Sequence, residues 1–362
     1  MSPPATDPRP GLALPRLSRL VVEAVQRNSL DLSQVSVLTE AATGPYVVTP
    51  VLAALAGAEV IAVTRASRYG SVEQVRAQTL ALAESVGVAS RITITDQRDV
   101  AIFAAADVVT NSGHLRPITA EHAEAIRASA VMPLMFEAWE IQAGRVDIDL
   151  AGLHRRGVQL AGTNERHPHV DVFSFLGPMA VAQLADAGVS AYLGRIAVLC
   201  DNPFLPYLEA GLRAAGATVW SAASLTELLD GDEPDAVIVS LTPTGQAVVT
   251  EAEVRQLAAR WPTTVLLQYW GDIDRSACTE AGLPFWPLDD PGSGHMGVLP
   301  SRVGPEPIVR LQAGGLKVAQ VLLKPAADRT AADLEYLDPL DFAAITNDGA
   351  PLTDASREQG ER

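Results

Sequence analysis

The chain has 362 residues, 48% hydrophobic and 19% charged, which is enough apolar material for two packed domains and too much for a disordered protein. Its formal net charge of -16 at pH 7 repels nucleic acid and anionic membranes, although a local basic cluster can still hold a small anion at contact distance. Two distant cysteines, Cys200 and Cys278, exclude Cys-x-x-Cys zinc, and no apolar run reaches the ~18 residues of a membrane span, so a soluble cytoplasmic protein is expected.

Residues 1–15 are proline-rich and are expected to form a flexible tail. Leu17 to Arg27 has helical periodicity, with Leu17, Leu20, Val21, Ala24 and Val25 on one face. The segment 35–63 then reads as one βαβ unit: a buried strand to Glu40, a turn at Thr43-Gly44-Pro45-Tyr46, a helix stopped by Gly57, and a strand ending at Val63. Helices are predicted at 72–86, behind a Ser71 cap, and at 99–106, 120–127 and 149–155. Strands are predicted at 91–95, 107–110, 130–136 and 158–162. Pro133 inside its strand predicts a bulge or a sheet edge.

The same order recurs from Arg195. Strand 195–200 matches the opening strand, Gly216-Ala217 matches Gly57-Ala58, and 235–243 matches 107–113. Thr250-Glu251-Ala252 matches Thr119-Ala120-Glu121, 264–273 matches 131–141, and 281–286 matches 156–161. Each half closes with a His-containing loop and a long apolar helix, at 172–187 and 308–323. This predicts an internal duplication of an α/β unit of about 140 residues. The expected layout is domain 1 at 16–170, an interdomain helix at 171–188, domain 2 at 189–324 and an acidic tail at 325–362, in which 334–342 dock. A cleft at the carboxyl ends of the strands would hold the ligand.

The helix leading into Arg27-Asn28-Ser29-Leu30-Asp31-Leu32, the strand and the glycine turn resemble the entry to the cofactor domain of S-adenosylhomocysteine hydrolase. Val108 to Gly113, Ile118 to His122 and Val146 to Leu150 resemble that domain's closing half. The outline is also similar to the D-2-hydroxyacid dehydrogenases, which pair two like-folded domains. The resemblance implies an α/β fold of two tandem Rossmann-like domains and a dinucleotide site in the first. Two features depart from it: the Gly-x-Gly-x-x-Gly turn keeps only Gly44, and Arg65 stands where an acid would bind the adenine ribose.

Thr43, Gly44, Pro45 and Tyr46 at the start of a helix would approach a pyrophosphate. Arg65, Ser67 and Arg68 would clamp a 2′-phosphate, which makes NADP the expected cofactor. Ser112 and Gly113 end the fourth strand beside the same cofactor, and His114 follows as an acid–base group. Glu137 and Glu140 leave the next strand toward that region, where they would act as base, as contact to a cation or as helix cap. Glu165-x-His167-x-His169-x-Asp171 sets ligand types at every second residue, as extended chain would for a metal. The preferred reading is a hinge loop with no metal, in which Asn164, Glu165 and Arg166 hold substrate and His167 joins the acid–base pool. His295, between Gly294 and Gly297, is the matching group from the second domain.

The expectation is an NADP-dependent oxidoreductase of a small polar metabolite, with a second copy of the chain as its protein partner. The alternatives are a non-redox enzyme on the same scaffold (an S-adenosylmethionine-dependent methyltransferase or a lyase) and a catalytically silent binding or scaffold protein.

Overall fold

The computed structural model describes residues 9–142 and 147–342. These divide into two units: unit one comprises the described residues up to Asp171 and those from Gly304 onward, and unit two is Val172–Val303. The strands of unit one are β1 Ser36–Glu40, β2 Glu59–Val63, β3 Ile92–Thr95, β4 Val108–Val109, β5 Val131–Leu134 and β6 Gln159–Thr163. Those of unit two are β7 Arg195–Cys200, β8 Thr218–Ala222, β9 Ala236–Ser240, β10 Val265–Trp270 and β11 Phe285–Trp286; β12, Leu337–Asp338, returns to unit one. The sheet orders are β12-β6-β5-β4-β1-β2-β3 and β11-β10-β9-β7-β8. All pairs are parallel except β12 with β6. Such sheets need strands buried on both faces, and Val108, Val109 and the run Ile196-Ala197-Val198-Leu199 are at most 1% exposed.

The matching stretches of the sequence occupy matching places in the two sheets. The Asp107 carboxylate accepts from Ser36 N at 2.8 Å at the foot of β1, and Asp235 does the same for Arg195 N at 2.7 Å below β7. Asp149 caps one helix by accepting from Gly152 N at 2.8 Å, and Asp274 caps its counterpart through Ala277 N at 2.9 Å. Gly157 and Gly282 end those helices in the left-handed conformation.

Three boundaries differ from expectation. The helix Glu306–Leu323, assigned by sequence to domain 2, packs on β5, β6 and the helices Leu14–Arg27 and Val48–Leu55 of unit one. The reason is shape: Gly315 has no room for a methyl against Met135, and Arg310 Nε donates to Val170 O at 2.8 Å. The helix Leu176–Asp186, expected between the domains, is part of unit two. There Tyr269 Oη donates to Leu176 O at 2.9 Å and Gln183 Nε2 to Gln268 O at 2.8 Å. At the N-terminus a 3-10 turn, Pro10–Leu12, and the start of the helix Leu14–Arg27 fall within the stretch expected to be a flexible tail; residues 1–8 lie outside the described residues.

The segment 334–342 docks as expected: β12 adds to β6, and Phe342 stacks on His154 with ring centroids 3.9 Å apart. Residues 343–362 of the acidic tail lie outside the described residues. Pro133 sits inside the sheet, between β4 and β6, and not at an edge. Its neighbours on the β4 side, Val131 N and Met135 N, donate to Asp107 O at 2.9 Å and to the Asn111 side-chain oxygen at 2.8 Å. By this register Pro133 faces Val109 O with no N–H to give, and the β4–β5 pairing is limited to Val108 with Val131.

Candidate functional site

The strand order of unit one reverses between β1 and β4, and in open α/β sheets ligands bind outside the carboxyl ends of the strands at such a point. β1 delivers Glu40 to it, and β4 delivers Ser112, Gly113 and His114. Glu40 is 5% exposed, and one carboxylate oxygen, Oε2, accepts from His114 N at 3.0 Å. Gly113 makes this possible, since a Cβ at that position would lie 2.8 Å from the same oxygen. Glu40 has no ion-pair partner among the described residues, and no other described donor reaches its second oxygen. Burial holds the His114 imidazole below its usual range, the Glu40 charge opposes that shift, and Arg65 adds to it. Beneath these groups Thr110 Oγ1 donates to Thr39 Oγ1 at 2.9 Å and lies 2.8 Å from Ser112 Oγ. Ser112 thus belongs to a buried hydroxyl chain.

The turn after β1 keeps the form the sequence predicts. Gly44 has φ +62° with open space where a Cβ would be, and it starts a short 3-10 segment, Gly44–Val47, ahead of the helix Val48–Leu55. Thr43 Oγ1 donates to Tyr69 O at 3.1 Å and ties this turn to the loop after β2. Pro45 is buried.

In that second loop the expected phosphate clamp comes apart. Ser67 and Gly70 close a tight hairpin by exchanging backbone hydrogen bonds, and Ser67 Oγ accepts from Tyr69 N at 3.2 Å. The Arg68 guanidinium donates to Tyr69 Oη at 2.7 Å and lies 4.8 Å from that ring's centroid. Of these three side chains, Arg65 is the one that is exposed and has no hydrogen-bond or ion-pair partner among the described residues. It follows β2, the neighbour of β1 in the sheet, and its charge helps to hold the His114 imidazole below its usual range.

The acid and histidine groups beyond β5 and β6 serve another purpose. Glu137 is 1% exposed and accepts from Arg166 Nε at 3.1 Å, Arg166 NH2 at 3.0 Å, Trp139 Nε1 at 2.9 Å and Glu165 N at 3.2 Å. A carboxylate with four donors has no oxygen left to act as a base, so the expected role of Glu137 is corrected to holding the β5 and β6 loops together. Glu140 accepts from Glu137 N at 3.2 Å, the helix-cap alternative, and opens the short helix Trp139–Gln142. Arg166 is committed to Glu137, and Asn164 donates to Glu335 O at 2.8 Å, so the expected substrate trio is tied up within unit one.

Residues 165–170 form turns, so the expectation of an extended segment with its ligand-type side chains aligned is also corrected. His167 accepts from His169 N at 3.2 Å, stacks on Tyr336 at 3.8 Å between centroids and is kept below the usual imidazole range by burial. It is a packing residue, not part of an acid–base pool. Among the described residues no group of three or more His, Cys, Asp or Glu is arranged to hold a metal, and no helix is long and apolar enough to cross a membrane.

In unit two His295 is exposed, with Nδ1 3.1 Å from Ser293 O. Its glycine loop is pinned, because Asp272 accepts from Ser293 Oγ at 2.7 Å and from Gly294 N at 2.9 Å, and Trp270 Nε1 donates to Gly294 O at 3.1 Å. At this unit's own order reversal, between β7 and β9, Asp201 Oδ1 accepts from Thr242 N at 2.8 Å and Thr242 Oγ1 at 3.0 Å. Sequence reasoning passed over both Glu40 and Asp201. Each is an acid at the end of an apolar strand, a pattern that also marks an ordinary strand boundary.

In unit one the open face at Gly44 leaves room, and the exposed Arg65 supplies positive charge, for an anionic ligand. No protein-family model matches the sequence, and no curated protein does. Among solved structures the chain is similar to a dipicolinate synthase component from Bacillus halodurans, with a TM-score of 0.51 and 14% identity over 82% of this chain and 100% of that one. It also matches a dipicolinate synthase chain from Bacillus subtilis, with TM-score 0.49 and 11% identity over 84% and 99% of the two chains. A match to the pyruvate reductase of Chlamydomonas reinhardtii has TM-score 0.43 and 15% identity over 69% and 74%. Identity at this level speaks for the fold and for nothing finer. The chain is a Rossmann-type α/β protein with two such units.

Proposed function

We propose that the protein is an oxidoreductase that binds a nicotinamide dinucleotide in unit one, in the phosphorylated form NADP, and acts on a small polar metabolite. The observation that supports this reading is Arg65, an exposed guanidinium at the carboxyl end of β2 with no partner among the described residues and within electrostatic reach of His114. A cation at that position suits a 2′-phosphate on the adenine ribose. Thr43 and Gly44 would lie against the pyrophosphate, and the neutral imidazole of His114 would take up or return the substrate's proton. When bound, the dinucleotide supplies the electron carrier that this chain's own side chains cannot provide. The shared strand order, in which β3 and β12 alone lack a counterpart in unit two, and the matched Asp caps are what an internal duplication would leave, and we extend the proposal to a duplicated ancestry.

Titration of NADPH and NADH against intrinsic tryptophan fluorescence tests the reading. NADPH is expected to bind more tightly, and Arg65→Ala to weaken NADPH alone by about 1.5–3 kcal/mol, the range for a hydrogen bond to a charged group. Arg68→Ala, at a side chain already occupied by Tyr69, is expected to change little. No response to either nucleotide removes the proposal.

A second reading, ligand binding without redox chemistry, is favoured by one feature: the turn after β1 keeps only Gly44 of the three glycines that bring a backbone against a pyrophosphate. A response to S-adenosylmethionine but not to NADPH would turn the argument to a non-redox enzyme, and a response to neither to a silent binding protein.

A further inference from the structure

We propose that Glu40 makes unit one distinguish the two oxidation states of its dinucleotide, holding the cationic oxidised nicotinamide more tightly than the neutral reduced ring. This inference rests on the dinucleotide reading above.

The Glu40 carboxylate is buried and meets no counter-charge among the described residues. Glu40 is 5% exposed, one oxygen is occupied by His114 N, and the other meets no donor among the described residues. Burying a charge without a partner is costly, and the cost is recovered when a cation arrives. The surrounding cations do not serve. Arg98 gives its guanidinium to Leu115 O and Pro117 O, and Arg65 is exposed in the loop after β2 with no bond to Glu40.

Position supplies the second step. A dinucleotide spans both halves of such a sheet. With its phosphate-bearing ribose at Arg65, on the β1–β3 half, the nicotinamide falls on the half that begins at β4. Glu40 leans to that side, against Gly113 and His114. One nicotinamide state is a cation and the other is neutral, while the rest of the molecule is unchanged, so the Glu40 charge acts on the difference between them.

Calorimetric titration of NADP⁺ and NADPH into the wild-type protein and Glu40→Gln tests this. A unit charge a few ångströms away at a protein-like dielectric supports a preference of at least about tenfold for NADP⁺ over NADPH in the wild type, collapsing toward parity in Glu40→Gln. Gln keeps an oxygen for His114 N, so a change in the ratio reports charge and not the loss of that hydrogen bond. If both nucleotides bind and the ratio is the same in wild type and variant, the inference falls and the dinucleotide reading stands. If neither nucleotide binds, both fall. Should Glu40→Gln not fold, the wild type decides alone, since NADPH binding as tight as NADP⁺ overturns the proposal.

Discussion

Arg166 separates a structural reading of the β6 loop from the substrate-binding role its sequence suggests. Its guanidinium meets Glu137 through two nitrogens, at 3.1 and 3.0 Å, and the carboxylate is 1% exposed while the Arg166 side chain is 47% exposed. Removing one partner of a buried pair costs about 3–5 kcal/mol, because the remaining charge stays buried without compensation. Here the Trp139 indole and Glu165 N still donate to Glu137, and water can enter where the half-exposed arginine stood. The expected cost of Arg166→Ala is therefore lower, about 2–3 kcal/mol. For a unit of this size that is a fall in Tm of about 4–12 °C. Adding Glu137→Gln removes the stranded charge and should return part of the loss. Thermal unfolding followed by circular dichroism, beside nucleotide titration of the same variants, reads both quantities. An Arg166→Ala protein that melts within about 1 °C of wild type, as a neutral surface change would, yet loses ligand affinity refutes the structural assignment.

Two further outcomes concern stability. The helices Leu176–Asp186 and Leu205–Ala214 cross with their backbones touching: a Cβ on Gly177 would lie 2.6 Å from Gly211 Cα, so Gly177→Ala should cost about 1–3 kcal/mol in a denaturant melt of unit two, and an unchanged midpoint would show that the crossing can open. His114, His122 and His167 are all held below the usual imidazole range, chiefly by burial, and their unfolded forms take up a proton near pH 6.5. The unfolded chain therefore binds more protons below that pH, so the contribution of these residues is complete above about pH 6.5 and is lost as the pH falls through their folded values. Urea midpoints should decline from pH 7.5 to 5.5, and a flat profile contradicts the burial argument.

Much of the fold could be read along the chain because its causes are local. Apolar runs bounded by Gly57, Gly157, Gly216 and Gly282 mark strands and helix ends, and Ser71, Thr119 and Thr250 mark helix starts. The candidate site was legible in part. Gly44 and Arg65 stand out by position after a strand, and Gly113 and His114 by following β4. Local sequence carries no sign that Arg68 would lie on Tyr69, or that Arg166 would be given to Glu137 twenty-nine residues earlier. Both outcomes depend on which donors the loops bring within about 3 Å of one another.

By itself the sequence determined the element types, the strand sequence shared by the two halves and the acidic character of the chain, since periodicity, turn chemistry and charge act over a few residues. Tertiary structure alone decided that the helix Glu306–Leu323 returns to unit one, that Glu40 faces Gly113 in the crevice, and that Glu137 and His167 are packing groups. These outcomes come from surfaces and charges far apart in the chain meeting in space. Close packing at Gly315 and charge pairing at Glu137 settle them, and neither has a sequence period to reveal it.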